Sequence, residues 1–192
     1  MRDIIESCFY RADLAVGFGS PILLLVLRLR GRVRSLDWRL FWVGALIGMV
    51  WEVPIFVLTR HTSIPITAAI REFPFHYVVF MISHTLWDGA IFLAGVWLLR
   101  LFCAPPLLAR FRWPELVVLL AWGQVSALLV ELSAVLSRSW TFVGDYWWNP
   151  TLIEVGGYQI TLMMQLLWLV AYLIFYPIAI RMNTAGRELA AT

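Results

Sequence analysis

The sequence contains no lysine, few charged residues and only two cysteines. All 15 basic residues are arginine, and charged residues make up 14% of the 192-residue chain, against about 25% in an ordinary soluble domain. The net charge of +3 is spread over segments between apolar runs, so we expect no compact basic face for nucleic acid. Cys8 and Cys103 lie far apart in the chain, which predicts neither a disulfide framework nor a thiol redox motif.

Several catalytic motifs are missing as well. Three histidines are too few for a histidine-rich di-iron site, and no His-Glu-x-x-His sequence occurs, so we predict no metal site. Glycine-rich phosphate loops and the Gly-x-Ser-x-Gly motif of hydrolases are also absent. We therefore expect chemistry that uses the protein's own side chains and no cofactor.

Apolar residues are what the sequence has in excess, at 61% of the chain. A soluble domain of this length buries only about 70% of its chain surface, so it cannot hide so many apolar side chains. A lipid bilayer solvates them, and we predict an integral membrane protein. The arginine-only basic complement suggests a GC-rich genome and hence a bacterial inner membrane, with an endoplasmic reticulum-like membrane as the alternative.

Five apolar runs are each long enough, at about 20 residues, to cross a hydrocarbon core of about 30 Å as a helix. Strands are not expected, because the runs do not alternate in polarity as the strands of a membrane barrel do. We predict an all-α bundle of five transmembrane helices that forms one domain over residues 1–192. The predicted helices cover residues 9–29, 40–58, 77–102, 115–136 and 158–180.

The arginines are distributed unevenly between the two sides of this bundle. Ten lie in the first loop, the third loop and the C-terminal tail, whereas five lie on the opposite side. The positive-inside rule then places the N-terminus outside or in the lumen and the C-terminus in the cytoplasm. The connections over residues 59–76 and 137–157 fall on the outer side, are rich in aromatic residues and are candidates for a lid.

Three carboxyl groups fall deep inside the predicted helices, away from the helix ends that face the first loop and the N-terminus, at Glu52, Asp88 and Glu131. An ionisable side chain at that depth costs about 2.5 to 3.5 kcal/mol even on the lenient insertion scale, so each is a candidate functional residue. The helical rise places all three, together with Gln165, at the midplane or in the outer half of the bilayer. We expect them to meet in one chamber.

Helical spacing groups the polar residues into stripes. His84 and Asp88 share a face of the third helix, and Gln124 and Glu131 share a face of the fourth. The fifth helix carries a similar stripe, made of Thr161, Gln165, Trp168 and Tyr172. Polar groups on membrane helices often only hold helices together, and this alternative applies to each stripe.

Tryptophans lie beside these polar positions. A carboxylic acid in a dry site can donate a proton near neutral pH, and a tryptophan face can stabilise a cation. The combination favours carbocation chemistry on an apolar lipid, with Glu52 as the acid and Asp88 and His84 as relay or base. The predicted substrate-binding residues are Glu131, Gln165, Trp51, Trp87, Trp168, Gln124 and Tyr172.

Four short stretches combine these residues: Val50-Trp51-Glu52, Leu86-Trp87-Asp88-Gly89, Gly123-Gln124 and Met164-Gln165-Leu166-Leu167-Trp168-Leu169-Val170. They resemble the emopamil-binding-protein family, small helical membrane proteins of the sterol double-bond isomerase type. The resemblance implies that Glu52 is the family's second-helix acid, and that Gln165 and Trp168 are its amide and tryptophan on the last helix. The chain departs from the family at Gly48, where the isomerases have histidine, and near Phe80, where they have glutamate.

A Trp-Glu pair on one helix with a distant aspartate is also similar to the membrane-bound meroterpenoid cyclases, in which one acid opens an epoxide or protonates an alkene. We therefore expect an isomerase or cyclase whose partner is a sterol or terpenoid lipid, with a homodimer left open. One alternative is a non-catalytic membrane protein that binds a sterol or amphiphile and holds its amine with a carboxylate. Another is a proton-coupled transporter, although no inverted repeat is evident.

Overall fold

Five long helices follow the five apolar runs of the sequence in a computed structural model that describes residues 2–62, 64–70, 72 and 75–189. The helices are α1 (Arg2–Leu29), α2 (Ser35–His61), α3 (Tyr77–Phe102), α4 (Trp113–Leu136) and α5 (Leu162–Leu189). Each contains a stretch that is long and apolar enough to cross a membrane. The prediction of five such helices is confirmed.

In the described part of the chain, four short strands at one end of the bundle correct the prediction that the fold is all-α. The strands β1 (Thr67–Ala69) and β2 (Trp140–Phe142) pair antiparallel, as do β3 (Thr151–Val155) and β4 (Tyr158–Thr161). Gly156 and Gly157 join β3 to β4 with φ of 60° and 82°, the positive values that a two-residue type I′ hairpin turn requires. The fifth helix consequently begins at Leu162, whereas the sequence analysis began it at Tyr158.

The helix α3 packs against α2, α1 and α4, and α2 makes the most extensive of these contacts. Two glycines of α2 face α3 at close range. A Cβ at Gly44 would lie 2.6 Å from the Cβ of Phe92, and a Cβ at Gly48 would lie 2.2 Å from Oδ2 of Asp88. The two helices approach so closely because these positions carry no side chain.

We expect Gly48→Ala to lower the free energy of unfolding by about 1 to 3 kcal/mol, the usual cost of overpacking an interior. The added methyl group would collide with Oδ2 and Cβ of Asp88, at 2.2 and 2.5 Å. Titration of the purified protein from mild detergent into SDS, followed by circular dichroism, measures the change. Gly19→Ala is the control, since a Cβ there meets nothing within 4 Å. Equal destabilisation by both substitutions would contradict the packing argument.

Two buried carboxyl groups lie at the end of the bundle opposite the strands. Asp37, near the start of α2, pairs with Arg34 and Arg100. Glu115, near the start of α4, pairs with Arg112 and also accepts a hydrogen bond from Tyr176. Both carboxyl groups are thus neutralised by arginine and join the helix ends to neighbouring segments.

Candidate functional site

A cavity of about 260 Å³ lies among the helices next to β1 and β2. All five helices contribute to its wall, which is mostly apolar and aromatic. Thr67, Trp140 and Phe142 of the β1–β2 sheet close one side, and we name this sheet the lid. The ionisable side chains that line the cavity are Asp13, Glu52, His84 and Asp88.

His84 lies between two of these carboxyl groups. Its Nε2 is 3.1 Å from Oδ1 of Asp13, which is a hydrogen-bond distance. Its Nδ1 is 3.7 Å from Oε2 of Glu52, so a small shift would complete a second hydrogen bond. The three side chains form the Asp13–His84–Glu52 series, which runs from α1 through α3 to α2. An imidazole in this position can accept a proton on one nitrogen and release one from the other.

Asp13 is the member of this series that the sequence analysis missed. Its side chain is buried, with the residue only 5% exposed. Ser83 Oγ lies 3.1 Å from both the Asp13 carbonyl oxygen and Oδ2, and Trp87 Nε1 donates to the same carbonyl at 2.8 Å. The approach of α1 to α3 depends on Gly17, where a Cβ would lie 2.1 Å from Ser83 Oγ. The sequence feature that could have pointed to Asp13 is Gly17, which lies one helical turn later on the same side of the helix.

Asp88 stands apart from the Asp13–His84–Glu52 series, although it lines the same cavity. Its Oδ2 is buried and has no hydrogen-bond partner among the residues that the structure describes. Asp37 and Glu115, in contrast, are paired with arginine. Isolated carboxylates in an apolar interior are very costly. The cavity thus holds three carboxyl groups and one imidazole, and no arginine is among its described lining residues.

Aromatic rings surround the ionisable groups. Trp168 lines the cavity, and the ring of Trp51 packs behind it at a centroid distance of 5.6 Å. Trp87 also lines the cavity, and Trp140 of the lid lies 6.0 Å from the ring of His84. The cavity therefore presents aromatic faces to any positive charge that forms within it.

The polar residues predicted on α4 and α5 lie outside this cavity lining. Glu131 accepts hydrogen bonds from the backbone N–H of Thr161 and from Nε2 of Gln165, both at 3.1 Å. Nε2 of Gln124 donates to the backbone carbonyl of Gln165 at 2.9 Å. In the structure these groups join α4 to β4 and to the first turns of α5, the role that polar residues often have between membrane helices.

Tyr172 also lies outside the cavity lining. Its hydroxyl donates to the carbonyl of Ile91 at 3.2 Å, and a Cβ at Gly123 would lie 2.6 Å from the Tyr172 ring. The side chain therefore joins α5 to α3 and packs closely on α4.

We expect Glu131→Ala to lower the free energy of unfolding by about 1 to 3 kcal/mol, because the buried donors Thr161 N–H and Gln165 Nε2 would lose their acceptor. The SDS titration described above measures this change. Glu154→Ala, which removes an exposed carboxyl group on β3, is the control. Unchanged stability together with a loss of substrate binding would instead support the substrate-binding role that the sequence analysis gives to Glu131.

Among the described residues, no group of three or more histidine, cysteine, aspartate or glutamate side chains is placed to hold a metal ion. No protein-family model, curated protein or solved structure matches the chain.

Proposed function

We propose that the chain is a membrane-embedded isomerase or cyclase that protonates an alkene or epoxide of a sterol or terpenoid lipid and then deprotonates the carbocation. The observation that carries this proposal is the Asp13–His84–Glu52 series in an aromatic-lined cavity that also contains Asp88, whose Oδ2 has no hydrogen-bond partner among the described residues. The resemblance to sterol isomerases and meroterpenoid cyclases points to the same chemistry. In the proposed topology the N-terminus is outside or lumenal and the C-terminus cytoplasmic, in a bacterial inner membrane or an endoplasmic reticulum-like membrane.

The proposed reaction begins at Glu52, which donates its proton to one carbon of an alkene. The π electrons form the new C–H bond and leave a cation on the neighbouring carbon, where the face of Trp168 stabilises it. In a cyclisation a second double bond of the lipid attacks this cation, whereas in an isomerisation it does not. Asp88 then removes a proton from a carbon next to the cation, and the released electron pair forms the new double bond.

The Asp13–His84–Glu52 series restores the starting state after each turnover. His84 transfers a proton from Nδ1 to Glu52 across their 3.7 Å contact. Asp88 releases the proton that it took from the lipid to water entering the emptied cavity, and this water reprotonates His84. The carboxylate of Asp13, 3.1 Å from Nε2, stabilises the imidazolium during this exchange. The sum of the steps moves a proton between two carbons of the lipid, and no other reactant is consumed.

A second candidate function, non-catalytic binding of a sterol or amphiphile with an amine, is favoured by the excess of acidic groups. Three carboxyl groups share the cavity with one imidazole, and Oδ2 of Asp88 has no partner within the described part of the chain. A protonated amine would balance this charge as a transient carbocation would. The two functions differ in their outcome, because a ligand that is only bound is released with its chemical structure unchanged.

Turnover in D₂O distinguishes the two functions. Protein in lipid nanodiscs is incubated with sterols and with terpenoid alkenes and epoxides, and the lipids are separated by chromatography and analysed by mass spectrometry. For an alkene we expect an isomeric product that carries one deuterium on carbon, because the carboxyl proton exchanges with solvent before transfer. For an epoxide protonated on oxygen we expect a product of the substrate's mass with a changed retention time. Empty nanodiscs are the control. Saturable binding of hydrophobic amines with every lipid recovered unchanged would overturn the enzyme proposal.

A further inference from the structure

The cavity is too small to enclose a whole sterol or long-chain terpenoid. Its volume is about 260 Å³, whereas pockets that bury most of a drug-sized ligand measure about 300 to 1,000 Å³. A lipid bound here would place only its reacting end among the ionisable groups. The rest of the molecule would extend through an opening in the wall.

Cavity-lining residues that are also exposed on the surface show where the wall opens. Ala12 of α1 and Ser133 of α4 line the cavity and are exposed. Phe9 and Val130 line it too, are half-buried, and precede these residues by three positions. Residues three apart share a helix face, so one edge of α1 and one edge of α4 border both the cavity and the surroundings.

The packing of the helices explains why the wall is open at this place. Both α1 and α4 pack against α3 and make little contact with each other. The helix α3, which carries His84 and Asp88, thus forms the wall of the cavity opposite the opening. The lid covers the end of the cavity rather than this side.

The surface around the opening is apolar. Val16 on α1 and Leu129 on α4 are 39% and 56% exposed. Ser133 is polar, but its hydroxyl donates to the carbonyl of Val130 at 2.8 Å, so its proton is satisfied within the helix. Lipid chains can cover such a surface without leaving a hydrogen-bond donor unpaired.

We propose that the opening between Ala12 and Ser133 is a lateral portal, through which the reacting end of an apolar lipid enters the cavity from the bilayer. The remainder of the lipid stays among the membrane lipids during the reaction. This inference rests on the proposed function in taking the ligand to be a lipid. The portal also gives α1 and α4 a role in substrate selection, because only a chain end narrow enough to pass between these helices can enter the cavity.

Tryptophan substitutions at the portal test this assignment. Ala12→Trp and Ser133→Trp would narrow the opening, whereas Leu25→Trp and Ala121→Trp place the same side chain at exposed positions of the same helices, away from the portal face and outside the cavity lining. The probe is hexadecanol with an alkyl diazirine near its apolar end, added to phosphatidylcholine vesicles that contain the protein. After irradiation, mass spectrometry measures the label on Glu52 and Asp88, since the photoproducts of alkyl diazirines react readily with carboxyl groups.

We expect the probe to label these residues in the natural protein and in both controls. In the two portal variants we expect the amount of label to fall by at least about tenfold. A tenfold decrease corresponds to a modest steric penalty. Ser133→Phe provides a smaller obstruction if a tryptophan variant fails to fold. Labelling that is absent from the natural protein, unchanged in the portal variants or lowered equally in the controls would overturn the portal. Because labelling needs no turnover, this result is independent of the D₂O experiment.

Discussion

Glu52→Gln should reduce turnover by about 10²- to 10⁴-fold, the range that general acid catalysis contributes. Glutamine has almost the same shape as glutamate but has no acidic proton to donate. The substituted side chain would remain in the cavity wall beside Nδ1 of His84, from which Glu52 Oε2 is 3.7 Å distant. The initial rate of product formation in nanodiscs measures the effect.

Glu154→Gln, at an exposed position of β3, is the matched control and should retain the natural rate. The diazirine probe should still reach Asp88 in Glu52→Gln, which would show that the cavity remains accessible. If Glu52→Gln keeps its activity while Asp88→Asn loses it, Glu52 is neither the acid nor the base, and Asp88 is the carboxyl group that the reaction requires. If both variants keep full activity, neither carboxyl group donates the proton.

The helices could be predicted because hydropathy is a local property of the sequence. The predicted helix over residues 77–102 has the same bounds as α3. The helix α2 extends beyond its predicted limits at both ends, because residues 35–39 and 59–61 continue the helix although these segments contain charged and polar side chains. Hydropathy reports which residues favour lipid, whereas the helix ends where backbone hydrogen bonding ends.

The strands were missed for a different reason. The residues of β1, β2 and β3 lie in the two aromatic-rich connections, for which the sequence predicted only a lid, and those of β4 lie at the start of the predicted fifth helix. The hairpin of β3 and β4 did have a local signal, since Gly156-Gly157 lies between Val155 and Tyr158 and favours a type I′ turn. The pairing of β1 with β2, which brings Thr67 opposite Phe142, joins segments far apart in the chain and has no such local signal.

The structure brings part of the predicted chamber together. Glu52, His84 and Asp88 meet in one cavity because α2 and α3 pack closely at Gly48. Glu131 has the same chemistry and a similar predicted depth, but its carboxylate is directed to Thr161 and Gln165. Depth and helical periodicity describe one helix at a time. They do not determine which neighbouring helix a polar side chain faces.

The contribution of Asp13 also depends on packing between helices. In the sequence it follows Arg11 near the start of the first predicted helix, where charged residues are common and no function was assigned to it. Its hydrogen-bond partners Ser83 and Trp87 are on α3, and His84 lies between them in the sequence. Only the docking of α1 on α3 through Gly17 turns this aspartate into a neighbour of the cavity.

Single and double substitutions at Asp13 and His84 test whether Asp13 acts through His84. Asp13→Asn should lower turnover by about 10²-fold, since the variant keeps the shape of the side chain but loses the charge that stabilises the imidazolium. His84→Gln should lower it by a similar or larger factor, because it removes the imidazole of the relay. The double variant should be no slower than His84→Gln alone, because Asp13 then has no imidazole to act on.

A structural role for Asp13 predicts a different result from the same four proteins. If Asp13 only anchors α1 through Ser83 and Trp87, Asp13→Asn should slow turnover by the same factor with and without His84, and the two effects would multiply. Ser83→Ala is the control for anchoring, because it removes the hydroxyl that donates to Asp13 and leaves the contact between Asp13 and His84 in place. Initial rates of the single and double variants, measured beside their unfolding in SDS, distinguish the two roles. If the effects of the two substitutions on the rate multiply, Asp13 does not belong to the proton relay. If the double variant turns over at the rate of His84→Gln, the charge of Asp13 acts only through the imidazole.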